Sequence, residues 1–271
     1  MESVQSDTRN RKGAQVLAGS SQSRALVVIP TYNEVTNIRT VINRILEIDV
    51  VALEILIVDD NSPDGTGKLV ASWAAREPRL HLIHRPGKMG LGTAYVAGFR
   101  YALENDYDII IAMDADLSHN PTDLPRLLEK MNDYDLVIGS RYLKGSGVVN
   151  WPLSRLMLSQ FANWYTRTIT RMPIHDCTSG FKCIHRRVLQ NVHLEHIVSS
   201  GYAFQIELHY KIWREGSRIC EVPIIFTERQ QGKSKMSRQV QLEAATLVWR
   251  LKLRDWLGKL GGIGARVESA G

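Results

Sequence analysis

The chain has 271 residues, 44% of them hydrophobic and 23% charged, which is enough to bury a core and excludes a fibrous or disordered class. Its 34 Lys and Arg against 28 Asp and Glu give a net charge of +6, which points mildly to anionic partners such as phosphates, nucleic acid or acidic lipid surfaces and decides nothing alone. No apolar run approaches the roughly 18 residues of a membrane-spanning helix and the first residues lack the apolar centre of a signal peptide, so a chain kept on the cytoplasmic side is expected.

Residues 1–24 are rich in Ser, Gln, Arg and Asn with little apolar periodicity and read as a tail. From Ala25, short apolar strands alternate with helical patterns: strand Leu26-Val27-Val28-Ile29, helix 35–48, strand Ile55-Leu56-Ile57-Val58, helix 68–76, strand Leu80-His81-Leu82-Ile83, helix 94–103. Strand Ile109-Ile110-Ile111-Ala112-Met113, helix 124–131 and strand Leu136-Val137-Ile138-Gly139 complete the series. Such alternation with continuously apolar strands predicts a parallel sheet covered by helices on both faces. Beyond Ser140 come a glycine-containing loop at Lys144-Gly145-Ser146-Gly147, helices over 154–170 and 204–213, a strand over 219–226 and a basic loop over 227–238. The last helical stretch, 240–257, mixes Leu247, Val248, Leu251, Leu253 and Trp256 with Arg250, Lys252 and Arg254. It suits equally an interfacial amphipathic helix and one packed on the domain with a solvated basic face.

The run 109–113 ends in Asp114-Ala115-Asp116. Two carboxylates one residue apart at a strand's C-terminal end lie at a sheet's ligand edge and repel unless a cation sits between them, for which a hard divalent ion is the natural candidate. A polar turn that merely closes the strand is the competing reading of that triplet. Pro30-Thr31-Tyr32-Asn33-Glu34, after the first strand, offers an aromatic to stack on a base and a carboxylate to accept its hydrogen bonds. Asp59-Asp60-Asn61-Ser62-Pro63-Asp64-Gly65-Thr66 closes the second strand. Its twelfth position counted from Asp60 is Ala71 rather than Glu, which excludes an EF-hand loop and leaves Asp60 as a nucleoside contact.

Lys88-Met89-Gly90-Leu91-Gly92-Thr93-Ala94 opens a helix whose N-terminus could favour phosphate, but it does not match G-x-G-x-x-G. Gly232-Lys233-Ser234 lacks the first glycine of a P-loop, Thr227 standing in its place. Arg141 in Gly139-Ser140-Arg141-Tyr142, Arg155 at a helix start, and Arg229-Gln230-Gln231-Gly232-Lys233-Ser234-Lys235 supply cations suited to phosphate. Cys177, Cys183 and Cys220 are odd in number and read as thiols. The zinc-type ligands in His175-x-Cys177 and Cys183-x-His185 have the spacing of no common zinc module.

In order, the motifs at 30–34, 58–64, 114–116 and 139–142, Thr178-Ser179-Gly180-Phe181 and 229–235 resemble glycosyltransferase family 2, and more narrowly the dolichol-phosphate (polyprenyl-phosphate) mannose synthases, over residues 25–236. The resemblance implies a GT-A fold: an α/β, Rossmann-like, mostly parallel sheet covered by helices on both faces, with a C-terminal amphipathic helix and no transmembrane segment. It divides the chain into a tail (1–24), a catalytic domain (25–236) and a helix with its tail (237–271). It implies GDP-mannose as donor, a polyprenyl or dolichyl phosphate as acceptor, Mg²⁺ or Mn²⁺ as cofactor, a membrane surface as partner, and no nucleic acid.

By the same resemblance Pro30, Tyr32, Glu34, Val58 and Asp60 would hold the guanosine end of the donor. Asp114, Ala115 and Asp116 would contact donor and metal, with Asp114 and Asp116 the metal ligands. Arg229 and Lys235 would hold donor phosphates, Arg141 and Arg155 the acceptor phosphate, and Asp116, Arg141 and Arg155 would be the catalytic residues. Two positions depart from the pattern: Ser118 replaces a metal-contacting Gln of some members, and Ala203 a donor-contacting Lys. The protein would sit peripherally on the cytoplasmic face of a membrane, held by its terminal helix or by a separate membrane protein. A phosphate monoester is already anionic near neutral pH, so the lack of a G-x-S-x-G or other nucleophile signature fits this chemistry. The competing expectations are transfer from a UDP-sugar such as UDP-glucose to the same lipid phosphate, and a non-catalytic subunit that binds nucleotide sugar or lipid phosphate.

Overall fold

The structure is a computed structural model that describes residues 23–49, 52–197, 199, 201–228, 245–253 and 256. Arg229 and Lys235, the tail up to residue 22 and most of the C-terminal segment lie outside the described residues.

Strands β1 (Ala25–Thr31), β2 (Leu53–Asp59), β3 (Leu80–His84), β4 (Ile109–Ala112) and β5 (Leu136–Ser140) form where the apolar runs predict them. Helices α1 (Val35–Leu46), α2 (Thr66–Ala74), α3 (Leu91–Glu104) and α4 (Leu124–Lys130) separate them. β1 pairs in parallel with both β2 and β4, so Ala25 lies opposite Leu53 on one side and Ile109 on the other. With β7 (Lys182–His185) and β8 (Ile219–Pro223) the strand order is β3-β2-β1-β4-β7-β5-β8, and its direction of growth reverses between β1 and β4. A reversal of this kind opens a crevice at the carboxyl ends of the strands, where ligands bind in open α/β sheets.

The central sheet is not wholly parallel. β7 (Lys182–His185) runs antiparallel between β4 and β5, with Lys182 opposite both Ala112 and Ile138. Lys182 and His185 flank only two apolar residues, so no strand-like run marks it. The predicted strand over 219–226 is two strands: β8 (Ile219–Pro223) continues the main sheet beside β5, whereas β9 (Ile225–Thr227) leaves it to pair with β6 (Gly147–Val149). Pro223 lacks an amide proton and marks the break.

Core side chains alternate between two layers, as period-2 strands covered on both faces require. Val28, Leu56, Ile110 and Ile138 face α3 and α7 (Gly201–Arg214). Val27, Ile57, Ile111 and Val137 face the layer that holds Ile38 and Ile42 of α1 and Leu127 of α4. Gly98 allows α3 to press onto β1, since a Cβ there would stand 2.2 Å from Val28 Cγ1. Cys177 and Cys183 are buried in different layers, so they pack as free thiols and share no metal site. Arg24, at the end of the expected tail, is tied down: its amide donates to Asp108 and its guanidinium pairs with Glu54 at 3.0 Å.

Helix α5 (Leu153–Thr170) is built inside out. Its polar Asn163, Thr166 and Thr170 are buried, while Leu153, Met157, Phe161 and Trp164 are each more than half exposed. The short α6 (Arg186–Asn191) follows β7. The helical segment over residues 245–253, α8, buries Leu247, Val248 and Leu251 in the core, so it packs on the domain, and its opposite face exposes Trp249 and Leu253. Tyr165 Oη donates to the Ala245 carbonyl at 3.2 Å and joins α5 to α8.

Candidate active site

Past β4 the chain buries Met113 and then turns at Asp114-Ala115-Asp116. Ala115 points into the α1/α4 layer, which leaves the flanking carboxylates partly exposed at the sheet edge. Leu117 has φ 62°, a left-handed conformation uncommon for a large side chain, and the Ser118 amide closes the turn on Asp116 Oδ1 at 3.1 Å. Asp114 Oδ1 accepts from Tyr95 Oη at 3.0 Å. The Asp114 amide donates to His119 Nδ1 at 3.2 Å, so that nitrogen carries no proton. His119 lies flat on Phe181 with centroids 5.1 Å apart, and burial lowers its pKa, which fits a neutral ring with its proton on Nε2. A Cβ on Gly180 would come within 3.4 Å of Asp114 Oδ2, so glycine keeps the front of that carboxylate clear.

These two carboxylates fit a hard divalent ion. Mg²⁺-like ions are commonly held by one or two carboxylates with substrate phosphates completing the shell. Among the described residues no cluster of three or more His, Cys, Asp or Glu closes the site, so further ligands would come from a bound substrate. Ser118 is buried and its carbonyl accepts from the Thr227 amide at 3.3 Å, which ties β9 to the turn.

One pocket is lined by Asp114, Asp116, His119, Arg141, Trp151, Arg155, Thr178, Gly180, Phe226 and Glu228. It unites the acidic turn with both of the arginines expected at an acceptor phosphate. Their states differ. Arg141 forms a buried bidentate pair with Asp176, Nε to Oδ2 and Nη2 to Oδ1, both at 2.7 Å, and Nη2 also donates to Thr178. Burial alone would raise the Asp176 carboxyl, but Arg141 holds it below the usual carboxylate range. Arg155 lies over the Trp151 ring at 4.1 Å and donates to Glu228 Oε1 at 2.5 Å. Among the described residues, Arg155 Nε and Trp151 Nε1 are buried donors without an acceptor, which marks this wall as suited to an anion.

The expected nucleoside residues gather at the neighbouring ends of β1 and β2. Pro30, Tyr32 and Glu34 are partly exposed, whereas Val58 is fully buried, so only its backbone can face a ligand. Asp60 is also buried. Arg85 Nη1 stands 3.1 Å from its Oδ1, an ion pair without hydrogen-bond geometry, and the Met89 amide donates to Oδ2 at 3.2 Å. Burial raises the Asp60 pKa and Arg85 offsets part of the rise. Lys88 Nζ sits 4.6 Å from the centre of the Tyr32 ring. The glycines before α3 serve packing: a Cβ on Gly92 would meet the Ser199 carbonyl at 2.7 Å. Ala203 is buried in the core.

Residues 26–192 match the glycosyl transferase family 2 model. The chain belongs to glycosyltransferase family 2. It is 44% identical over 243 residues to an undecaprenyl-phosphate mannosyltransferase of Micrococcus luteus, covering 89% of this chain and 99% of the relative. It is also 44% identical over 242 residues to a polyprenol monophosphomannose synthase of Mycolicibacterium smegmatis, covering 89% and 91%. Among solved structures it resembles glucosyl-3-phosphoglycerate synthase of Mycobacterium tuberculosis in complex with Mn²⁺, UDP and phosphoglyceric acid, with a TM-score of 0.64 and 19% identity, over 88% of this chain and 82% of that one. The family member thus has a GT-A-like fold, with a mostly parallel central sheet between helical layers and no helix, among the described residues, long and apolar enough to cross a membrane.

The sequence pointed to Asp114, Asp116, Arg141 and Arg155, and the fold brings all four to one pocket. It did not point to Asp176, His119, Arg85, Trp151 or Glu228. A buried Arg141 demands a carboxylate partner, but the 35 residues separating it from Asp176 conceal which one.

Proposed function

We propose that this protein transfers mannose from GDP-mannose to a polyprenyl (dolichyl) phosphate with inversion at the anomeric carbon, with Mg²⁺ or Mn²⁺ as cofactor. The carrying observation is α5, which brings Arg155 to the pocket of Asp114 and Asp116 and turns Met157, Phe161 and Trp164 outward. An acceptor that is phosphate at one end and hydrocarbon at the other fits a helix of that kind. The two mannosyl-transferring relatives support the sugar and the lipid phosphate, and the Mn²⁺-bound structural neighbour supports a divalent ion.

Pro30, Tyr32, Glu34 and Asp60, with the Val58 backbone, would grip the guanosine end, and Arg229 and Lys235 the donor phosphates. Asp114 and Asp116 would hold the metal, with Ala115 contributing backbone to the donor side. A divalent ion there neutralises charge on the departing diphosphate. Arg155 takes the larger share of the acceptor phosphate, because Arg141 is closed by a buried bidentate pair with Asp176, whereas Arg155 pairs with Glu228 through Nη1 and, among the described residues, keeps a buried Nε without an acceptor. The acceptor oxygen attacks the anomeric carbon as the bond to GDP breaks, and no general base is required.

Residues 25–236 form the catalytic domain in this reading, with tail 1–24 before it and helix and tail 237–271 after it. The outward faces of α5 and α8 set the protein peripherally on the cytoplasmic side of a membrane, alone or with a separate membrane protein. Labelled GDP-mannose and UDP-glucose, each offered with a short polyprenyl phosphate, test the assignment. GDP release with formation of lipid-linked mannose is expected. Transfer from UDP-glucose alone would replace the donor, and turnover that persists in EDTA would remove the metal.

A further inference from the structure

Behind the acidic turn lies a cation that the reaction just proposed leaves unused. Lys182 opens β7 between Ala112 and Ile138, and its side chain is fully buried. Among the described residues its ammonium has one hydrogen-bond partner, the side-chain oxygen of Gln205 on α7. A buried ammonium with one neutral partner is costly. Its neighbours in register and on its own face, Ala112, Ile138 and Ile184, are aliphatic core residues, so an aliphatic side chain would serve packing as well.

The groups around it show what the charge balances. Burial pulls the Lys182 pKa down to about 7, and Asp114 and Asp176 oppose that pull through space. Asp176 is already closed by its bidentate pair with Arg141. His209, on α7, donates from Nδ1 to the Cys177 carbonyl at 3.0 Å, and burial holds its pKa well down, so it adds no charge. Tyr95, which donates to Asp114, is kept neutral by burial. Glu207 is paired with Lys211 at 3.1 Å. Asp114, two residues beyond Ala112, the register partner of Lys182, is therefore the site carboxylate on which the buried ammonium acts.

The geometry points to Lys182 as a buried countercharge that disfavours a divalent ion in the empty site and favours the nucleoside diphosphate, so that metal enters with the donor rather than before it. This rests on the metal and diphosphate reading of the site. In its charged form the ammonium shifts the affinities of a cation and an anion in opposite directions, which distinguishes it from packing damage, since damage weakens both.

Mn²⁺ binding to the full chain, followed by electron paramagnetic resonance without nucleotide, and GDP binding in EDTA, followed by calorimetry, test this at a pH of about 6, below the lowered lysine value, where the ammonium is charged. Lys182→Met is expected to tighten Mn²⁺ and to weaken GDP, each by roughly three- to tenfold. Gln205→Glu, which leaves the lysine in place and neutralises it with a carboxylate, is likewise expected to tighten Mn²⁺ and weaken GDP, and it carries the test if Lys182→Met does not fold. Unchanged or weaker Mn²⁺ binding in a folded variant would overturn the inference while leaving the site reading intact. A wild-type chain that binds neither Mn²⁺ nor GDP would remove both.

Discussion

Asp116 and Asp176 are both site carboxylates, yet substitution should separate them cleanly. Asp116 is partly exposed at the turn, so Asp116→Ala should leave the melting temperature within a few degrees and lower kcat by about 10²- to 10³-fold, the size of losing one preorganised charge-stabilising group. Single-turnover GDP release measures this, and near-normal turnover would exclude the residue from the chemistry. Asp176 is fully buried and its pKa is depressed. It therefore binds fewer protons folded than unfolded. Its contribution is complete above the unfolded carboxylate value of about 3.9 and is lost as pH falls through the lower folded value. Asp176→Asn leaves Arg141 buried beside a neutral amide and should cost about 3–5 kcal/mol at pH 7, and the gap from wild type should narrow in strong acid. Melting curves across pH check this; a gap that stays constant into acid would contradict the sign. Arg155→Ala should raise the KM for acceptor roughly tenfold or more with little change in donor KM if, as proposed, its guanidinium is a charge-assisted donor to the acceptor phosphate. The residues that chemistry marks by type were legible in the sequence. Those that act by pairing across long separations, such as Asp176 for Arg141 and Arg85 for Asp60, were not.

Helices and parallel strands were legible because their periodicity is local. The apolar runs at 26–29, 55–58, 80–83, 109–113 and 136–139 all became strands of the main sheet. β7 was not legible: it carries a buried lysine at a core position, and its antiparallel place between β4 and β5 is set by tertiary pairing alone. The helix over 154–170 was also predicted, but its inversion was not, since a helical pattern does not say which face the fold will bury. That inversion has a direct consequence. Replacing Phe161 and Trp164 with Glu removes their mutual ring contact and the stacking of Phe161 on Tyr165 but no buried side chain, and should change the melting temperature little, because both are more than half exposed. The same double variant should lose most sedimentation with phosphatidylcholine vesicles containing phosphatidylglycerol. Undiminished sedimentation would place the membrane-facing surface elsewhere.

At the scale of the whole molecule, two forces would hold it on a lipid surface, and they respond differently to salt. The chain carries a net charge of +6, attraction that is screened over a Debye length of about 10 Å at 0.1 M salt. Helices α5 and α8 are joined through Tyr165 and Ala245, and α5 exposes Phe161 and Trp164 while α8 exposes Trp249 and Leu253, a contribution that salt does not screen. Leu247, Val248 and Leu251 of α8 are core residues, so deleting residues 240–271 would damage the fold, and surface substitutions are the cleaner probe. Wild-type protein should retain part of its binding to anionic vesicles when salt is raised from about 0.05 M to about 0.5 M, where screening removes most of the charge attraction. The protein with Phe161→Glu, Trp164→Glu, Trp249→Glu and Leu253→Glu together would bind only through charge, weakened further by the four acids, and should detach completely over that range. If both proteins detach at the same salt concentration, the apolar faces contribute nothing and the attraction is electrostatic alone.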